Sequence, residues 1–599
     1  MSTMKLSDYV MDVIVASGVR DVFMLPGGGA MHLNESLGQR RDLRFVCNLH
    51  EQAAAIAAEA YAKVTNGLAV AMVTTGPGGT NAITGVASAW LDSMPCLIVS
   101  GQVKRDDLKR DSGVRIMGVQ EVDIVSIVRP ITKYAVTIED PSTIRYHLEK
   151  AIHLALTGRR GPVWIDIPLD VQAAQINPGD LPGFSPAVEK ASGSLEDEVG
   201  QLLGLLKTSA RPVIVAGSGI RAAHAVKEFR QVVEKLQVPV LTTWLAMDLI
   251  PNEHPLFAGR PGSIAPRGAN FTLQNSDLML VVGSRLDMAL TGYAHERLAR
   301  HAVKIMVDID EAEIQKMRTV IHLPVIADAG AFLRELNRQL DTGSAYQFTD
   351  WVGRCQEWKQ RYPVVTPEHR VLADRVSTYL FSEALSEQLT GNDIIASGSS
   401  GSGVELFLLA FQTKEGQRVL HSRGLGAMGF GLPASIGACI GSGRKRTICV
   451  DGDGSFQMNA QELETIRRLD LPIKIFVINN QGYASIRSSQ EIYFRHLVAA
   501  DSSSGLSLPD VRLVAAAYGL PSVAISSQHD LVGGIRDVLE ASGPVVCEVL
   551  APAEEQRAPR LSSMQRADGS MVSKPLEDLW PFLDRDEFHS NMIVPALDE

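Results

Sequence analysis

Two carboxylates and two glycines close an apolar run in "RTICVDGDGSF": Asp451, Gly452, Asp453 and Gly454. Asp and Gly form turns, and a tight turn explains the tetrapeptide taken alone. A second polar pair changes that reading. With 24 residues between it and Gly454, Asn479-Asn480 ends another apolar run, "IKIFVI", and leads into Gly482 and Tyr483. If the two runs are neighbouring strands of a parallel sheet, Asp453 and Asn480 share its carboxyl edge, where ligands collect. A hard divalent cation such as Mg2+ takes oxygen ligands; Asp453, the Asn480 amide and the Gly482 carbonyl would supply three. Gly452 and Gly454 would let the backbone approach a diphosphate, with the helix expected over "NAQELETIRRL" turning its positive end toward it.

Holding such a pair takes parallel strands, and the rest of the chain supplies them. Short apolar runs alternate with longer helical patterns from end to end, among them "LAVAMVTT", "PCLIVSGQ", "GPVWIDIP", "RPVIVAGSG", "DLMLVVGSR", "VKIMVDID" and "PVVCEVL". Runs apolar on both faces and separated by helices belong to parallel sheets covered on both sides, so the expected fold class is α/β. A chain of 599 residues exceeds what one core supports and predicts about three or four domains. The pattern lapses at 177–194, rich in Pro, Gly and Ser, and again at 341–370. This predicts three doubly wound domains with mostly parallel sheets, over 1–185, 195–345 and 370–550. The tail over 551–599 is expected to be either loose or a flap over a site.

Composition narrows function by exclusion. With 45% hydrophobic and 21% charged residues, the chain is globular rather than disordered. The net charge of −11 is spread without any Lys/Arg run, which argues against a nucleic-acid partner. No run of about 18 apolar residues escapes interruption by charge, so no segment is expected to cross a membrane. The N-terminal stretch has acidic residues and a helical period in place of a basic region and an apolar block, which predicts no export signal and a cytoplasmic protein. The six cysteines lack C-x-x-C spacing and are read as reduced and structural.

The spaced "DGDG" and "NNQGY" match the signature of thiamine diphosphate enzymes, and the chain resembles the acetolactate synthase type of that family over nearly its whole length. Further stretches carry the resemblance in the family's order: "PGGGAMHL", "HEQAAAIAAEAYAK", "TTGPGGTNAITGVASAWLDSMPCLIVSGQ", "GRRGPVWIDIPLDVQ", "VDIDEAEI" and "GLGAMGFGLPASIGA". The resemblance implies thiamine diphosphate and Mg2+, with Asp453, Asn480 and Gly482 as metal ligands and Gly452, Gly454, Ser455 and Tyr483 around the diphosphate. From the first domain it brings Gly27, Gly28, Thr75 and Glu51 to the cofactor. Glu51 matches the acid that hydrogen-bonds N1′ of the aminopyrimidine and favours the tautomer able to take the proton from C2 of the thiazolium. Outside the family, a glutamate at a helix start is ordinary dipole complementarity.

Met428 matches the apolar residue that props the cofactor in a bent shape, and the Gly426 carbonyl would accept from its 4′-amino group. His32 and Gln120 match positions bordering the reacting carbonyl, although a lone histidine is more often structural. Because Glu51 lies in the first domain and Met428, Asp453 and Asn480 in the third, the family builds each site from two chains, which implies a homodimer or homotetramer.

In the middle of the chain, "IVAGSGI" reads as strand, glycine-rich turn and helix without the full G-x-G-x-x-G. With "VVGSRLD" and "IMVDIDEAEI" it resembles the FAD-holding domain of acetolactate synthase, with Gly217 and Gly219 near phosphate, Arg285 at the phosphates or ribose and Asp308 near the adenosine. The family's second Asp and Arg after "RLD" are Met288 and Ala289 here. Two further departures concern the acceptor: the family's Phe before the glutamine of "QE" is Val119, and its Trp after the Asn pair is Ser489. "SGVELFLLAF" also stands where the synthases have "HQMW". Losing two rings opens roughly a hundred cubic ångströms, within the scale of ligand pockets. The resemblance thus implies a transferase or lyase that decarboxylates a 2-oxo acid, with pyruvate favoured, and passes the acyl unit to a carbonyl acceptor. That acceptor is expected to be a ketone bulkier than pyruvate, as in the flavin-containing enzymes that build branched-chain sugars. Acetolactate synthase proper, and a hydrolase cleaving a cyclic diketone, stand as alternatives.

Overall fold

The computed structural model describes residues 3–186, 194–341, 346–371, 374–398, 401–565 and 571–597. Three six-stranded sheets, with every strand pairing parallel, organise them. The first runs Arg44–Cys47, Asp21–Met24, Ala69–Val73, Cys96–Gln102, Val163–Pro168, Tyr134–Thr137. The middle sheet runs Phe257–Gly259, Val240–Thr242, Pro212–Ala216, Leu278–Val282, Val303–Asp308, Leu323–Ile326. The third runs Arg418–Leu420, Ile394–Ser397, Thr447–Gly452, Ile473–Asn479, Val545–Leu550, Ser522–Ile525. Numbered by chain order within each sheet, the first and third share the order 2-1-3-4-6-5, whereas the middle one is 3-2-1-4-5-6. The central strands are buried, apart from Asn479 at the end of Ile473–Asn479, as expected of Val- and Ile-rich runs covered on both faces.

One apolar cluster runs without a break from the first domain into the third, holding Val46, Ala57 and Trp164 together with Ile436, Cys449 and Ile475. Its spine is the helix Glu51–Thr65, which starts where His50 accepts from the Gln52 N–H (3.1 Å) and ends at Asn66 in the left-handed region. The run of alanines there serves close packing. A Cβ on Gly437, in helix Gly431–Gly441, would lie 1.9 Å from the Ala57 carbonyl oxygen, and one on Gly85, in helix Pro77–Leu91, 2.5 Å from Ala55 Cβ. Polar links reinforce the junction: Asn48 and the Leu49 N–H both donate to Glu462 (2.9 and 2.8 Å), and buried Lys63 donates to Asp92 (2.9 Å) and the His421 carbonyl (2.7 Å). Arg159 ties the first domain to Asp310 (2.8 Å) and Glu313 (2.6 Å) of the middle one.

The break at 177–194 lies partly outside the described residues. The other, 341–370, contributes the helix Thr349–Arg361, whose Trp351 donates to the Pro212 carbonyl (2.9 Å) at the start of a middle strand. The tail, expected to be a loose end or a flap, is docked where it is described, first on the third domain, where Ser377 Oγ (2.6 Å) and the Thr378 N–H (3.1 Å) donate to Glu555, and further along on the middle domain. Leu576 and Leu579 are buried, Asn270 donates to the Leu576 carbonyl (2.7 Å), Glu577 pairs with Arg300 (2.7 Å), and Trp358 donates to Asn591 (2.8 Å). The six cysteines are free, and no helix among the described residues is long and apolar enough to cross a membrane.

Candidate active site

Register brings the two sequence signals together. Gly452 pairs with Ile478 on the adjoining strand, so Asp453 and Asn480 follow side by side at the carboxyl edge of the third sheet. Asp453 is buried, and its carboxylate accepts from the Gly454 N–H (2.8 Å) and the Gly482 N–H (2.9 Å). Asn480 is buried beside it with its carbonyl gripped by Arg487 (3.0 Å). Gly482 has φ 126, which side chains rarely adopt, and a Cβ there would lie 2.4 Å from the Ala500 carbonyl oxygen. A Cβ on Gly454 would lie 2.3 Å from the Tyr483 ring and 3.4 Å from Met428, so these three pack as a unit; Gly452 faces open space. Ser455 Oγ accepts from the Gly429 N–H (2.8 Å), tying the turn to the loop that carries Gly426 and Met428.

The two aspartates divide the work. Asp451 is walled in by Gly398 and Gly431, whose Cβ atoms would lie 2.2 and 2.5 Å from its carboxylate oxygens. Burial raises its pKa to about 7 and that of Asp453 to about 6. Asp451 is thus built into the fold, and Asp453 is presented at the edge. Among the described residues no group of three or more His, Cys, Asp and Glu could hold a metal. A cation here would therefore rely on one carboxylate with amide and carbonyl oxygens, the set that suits Mg2+. The helix expected over 459–469 starts later, as Glu462–Arg468, and a separate short helix, Asp453–Gln457, follows the strand directly; between the two, Asn459 donates its side-chain amide to the Gly429 carbonyl (2.7 Å) and to Gln52 (3.3 Å).

A second cluster lies at the carboxyl edge of the first sheet. Gly27 and Gly29 pass so close to Thr74 and Thr75 that a Cβ on either would lie within 2.4 and 2.7 Å of those side chains, whereas Gly28 faces open space. Glu51 is buried and accepts from Asn81 (3.0 Å), and its other oxygen would be 3.6 Å from a Cβ on Gly78. Gln120 sits against the same turn at φ 64, its carbonyl oxygen 2.3 Å from where a Cβ on Gly76 would be. Glu51, Thr75 and Gln120 are therefore neighbours. His32 is half-buried on the following helix Met31–Gly38.

Residues 4–127, 199–336 and 400–549 match three family models: thiamine pyrophosphate enzyme, N-terminal TPP binding domain; central domain; and C-terminal TPP binding domain. Acetolactate synthase 2, chloroplastic, of Nicotiana tabacum is 33% identical over 93% of this chain and 84% of its own. The acetolactate synthase large subunit of Cyanidium caldarium is 31% identical over 92% of this chain and 94% of its own. The chain belongs to the acetolactate synthase-like thiamine diphosphate enzymes. It is accordingly a thiamine-diphosphate-dependent enzyme of the transferase or lyase kind.

The middle domain of this acetolactate synthase-like enzyme holds a cavity of ≈ 280 Å³ lined by Ser218, Gly219, Trp244, Arg285 and Asp308, with Arg423 from the third domain. Its position follows from topology. In the order 3-2-1-4-5-6 the connections reverse direction between Pro212–Ala216 and Leu278–Val282, and the turns after those two strands form the cleft where doubly wound sheets bind ligands. Gly217 and Gly219 have a packing reason to be glycine: their Cβ atoms would lie 2.0 and 2.7 Å from the Gly283 backbone. Arg285 donates to the Leu91 carbonyl (2.7 Å), and burial raises the pKa of Asp308, which accepts from the Asp310 N–H (3.0 Å). Glycine turns, arginines and a buried carboxylate thus line this cleft. Val119 is 85% exposed and Ser489 is also on the surface, so one chain alone does not enclose them. Three residues that spacing could not reveal complete the picture: Arg487 at the Asn480 turn, Glu462 between domains, and Gln102, which accepts from Thr75 Oγ1 (2.8 Å).

Proposed function

We propose that this enzyme is a carboligase that removes CO2 from a 2-oxo acid, pyruvate first among them, and transfers the remaining acyl unit to the carbonyl of a ketone bulkier than pyruvate. One observation carries the cofactor assignment: the buried Asp453 carboxylate beside Asn480 and the Gly482 turn at the ends of adjoining strands. Mg2+ would be held by Asp453, Asn480 and the Gly482 carbonyl, and the diphosphate by Gly452, Gly454, Ser455 and Tyr483. When bound, thiamine diphosphate supplies a thiazolium able to accept the electron pair left as CO2 departs.

The chain's own side chains supply position and protons. Glu51 would hold a proton at N1′ of the aminopyrimidine, and Asn81 keeps that carboxylate in place. Met428 would support the bent cofactor, the Gly426 carbonyl would accept from the 4′-amino group, and Gly27, Gly28 and Thr75 would close the site from the first domain. Gln120, a neutral amide, can orient an acceptor without exchanging protons, with His32 nearby in the same role. With Glu51 on the first domain and Met428, Asp453 and Asn480 on the third, and with a family resemblance that implies sites built from two chains, the enzyme would be a homodimer or homotetramer with sites shared between chains. FAD would lie in the middle cavity along Gly217, Gly219, Arg285 and Asp308 in a structural role. The enzyme would work in the cytoplasm on small molecules, without nucleic acid or membrane.

Incubation with thiamine diphosphate, Mg2+ and pyruvate, alone and with ketones, cyclic diketones and keto-sugars, tests the reading by mass spectrometry. The expected product is an acceptor ketone enlarged by the acyl unit. Pyruvate untouched in every mixture would remove the donor. Acetolactate formed readily from pyruvate alone would favour acetolactate synthase proper, the second reading, to which the names of the relatives point.

A further inference from the structure

Asp166 lies inside the first sheet and has no part in the site as described above. Its carboxylate accepts from Ser100 Oγ (2.5 Å), Gln102 Nε2 (3.1 Å) and Thr137 Oγ1 (3.1 Å), and Ser100 accepts in turn from Trp164 Nε1 (2.7 Å). A carboxylate only accepts, so it dictates that the Gln102 amide faces it with Nε2. Gln102 Oε1 is thereby turned the other way, to accept from Thr75 Oγ1 (2.8 Å) and the Val103 N–H (2.9 Å), while Nε2 also donates to the Val122 carbonyl (2.9 Å). Val103 and Val122 are the two ends of the loop that carries Gln120. Within that loop the Glu121 carboxylate accepts from the N–H groups of Lys109, Met117 and Gly118. Gln120 is left at φ 64, and a non-glycine residue in that region persists where its surroundings over-determine it.

We propose that Asp166 is a positioning residue: through the Gln102 amide it fixes the loop bearing Gln120 and the Thr75 hydroxyl, and so the acceptor side of the site. The inference rests on the functional reading above only in naming that side. Ser100, Gln102, Thr137 and Trp164 pack around the carboxylate, and the charge acting on it is a second carboxylate, Asp123. Burial first, then Asp123, raises its pKa to about 7. The ionised form that orients Gln102 is therefore present above neutrality and lost below it.

Amide hydrogen exchange on the cofactor-free chain, corrected for intrinsic rates, is the activity-independent test. In the wild type the peptides over 103–122 should be better protected above about pH 7 than below. Asp166→Asn should erase that pH dependence and speed exchange there about tenfold, the size of one lost hydrogen bond to a charged group. Thr137→Val, which removes one donor from Asp166 and leaves Gln102 untouched, should move the midpoint to higher pH. In turnover, Asp166→Asn should raise the acceptor KM more than it lowers kcat. A folded Asp166→Asn protein with wild-type protection at every pH would overturn the proposal. If that variant does not fold, an unmoved midpoint in Thr137→Val overturns it instead. A wild type that turns over no 2-oxo acid would defeat the functional reading and leave the exchange result standing.

Discussion

Asp451 and Asp453 show how neighbouring carboxylates acquire different tasks from their surroundings. Asp451 is sealed between two glycine backbones, whereas Asp453 spends its hydrogen bonds on the Gly454 and Gly482 N–H groups beside Asn480. In the cofactor-free protein, burial holds the Asp453 pKa at about 6, above the ordinary carboxylate value of about 3.9. The neutral form then favours folding below about pH 4, and that contribution is lost as pH rises through 6. Cation binding needs the charged form and runs the opposite way. The rise in melting temperature on adding Mg2+ and thiamine diphosphate should be full above pH 6 and shrink as pH falls through it; a rise independent of pH between 5 and 8 would count against Asp453 as ligand. Asp453→Ala should abolish the rise, whereas Glu51→Gln should keep it and lower turnover by roughly 10²–10⁴-fold. Retention of full turnover in Glu51→Gln would remove its acid–base role.

Helix Glu51–Thr65 is where sequence and packing meet most closely. Its alanines allow helix Gly431–Gly441 to approach until the Gly437 backbone touches Ala57. Gly437→Ala should therefore destabilise the protein by about 1–3 kcal/mol through overpacking, measured by denaturant titration, while Gly28→Ala, which meets open space, should change stability little. Equal effects from the two substitutions would contradict this account of the contact.

The strands were legible because runs such as "IKIFVI" are apolar on both faces, and the pairing of Asp453 with Asn480 because both stand at strand ends. The separate short helix Asp453–Gln457 and the late start at Glu462 were not, since Asn459 donates to a glycine carbonyl in a distant loop. Nor was the docked tail, whose buried leucines are separated by polar residues without period. Gly217 and Gly219 are read from the resemblance as an approach to phosphate, and the crossing Gly283 backbone adds a packing reason for glycine that the sequence does not show. Gln102 reaches the Val122 carbonyl and Arg487 the Ala553 carbonyl, backbone groups many residues away, which leaves no pattern in the sequence.

In the whole molecule, the first and third domains repeat one sheet order and share a continuous core, yet Glu51 is held by Asn81 while Asp453 belongs to the other edge. Large apolar side chains stay exposed on the elements that carry both clusters: Met31 and Leu49 beside the first, Leu425 and Met458 beside the third, and Val119 next to Gln120. Such surface is what a second copy would cover. Subunit complementation tests the shared site most directly: Glu51→Gln and Asp453→Ala chains, each inactive alone, are coexpressed in equal amounts and the turnover of the mixed assembly is measured. If each site takes Glu51 from one chain and Asp453 from another, half the dimers are mixed and each carries one intact site, restoring about a quarter of wild-type activity. No recovery in a mixture shown to contain mixed dimers would contradict the account, because it would place both residues of every site on a single chain.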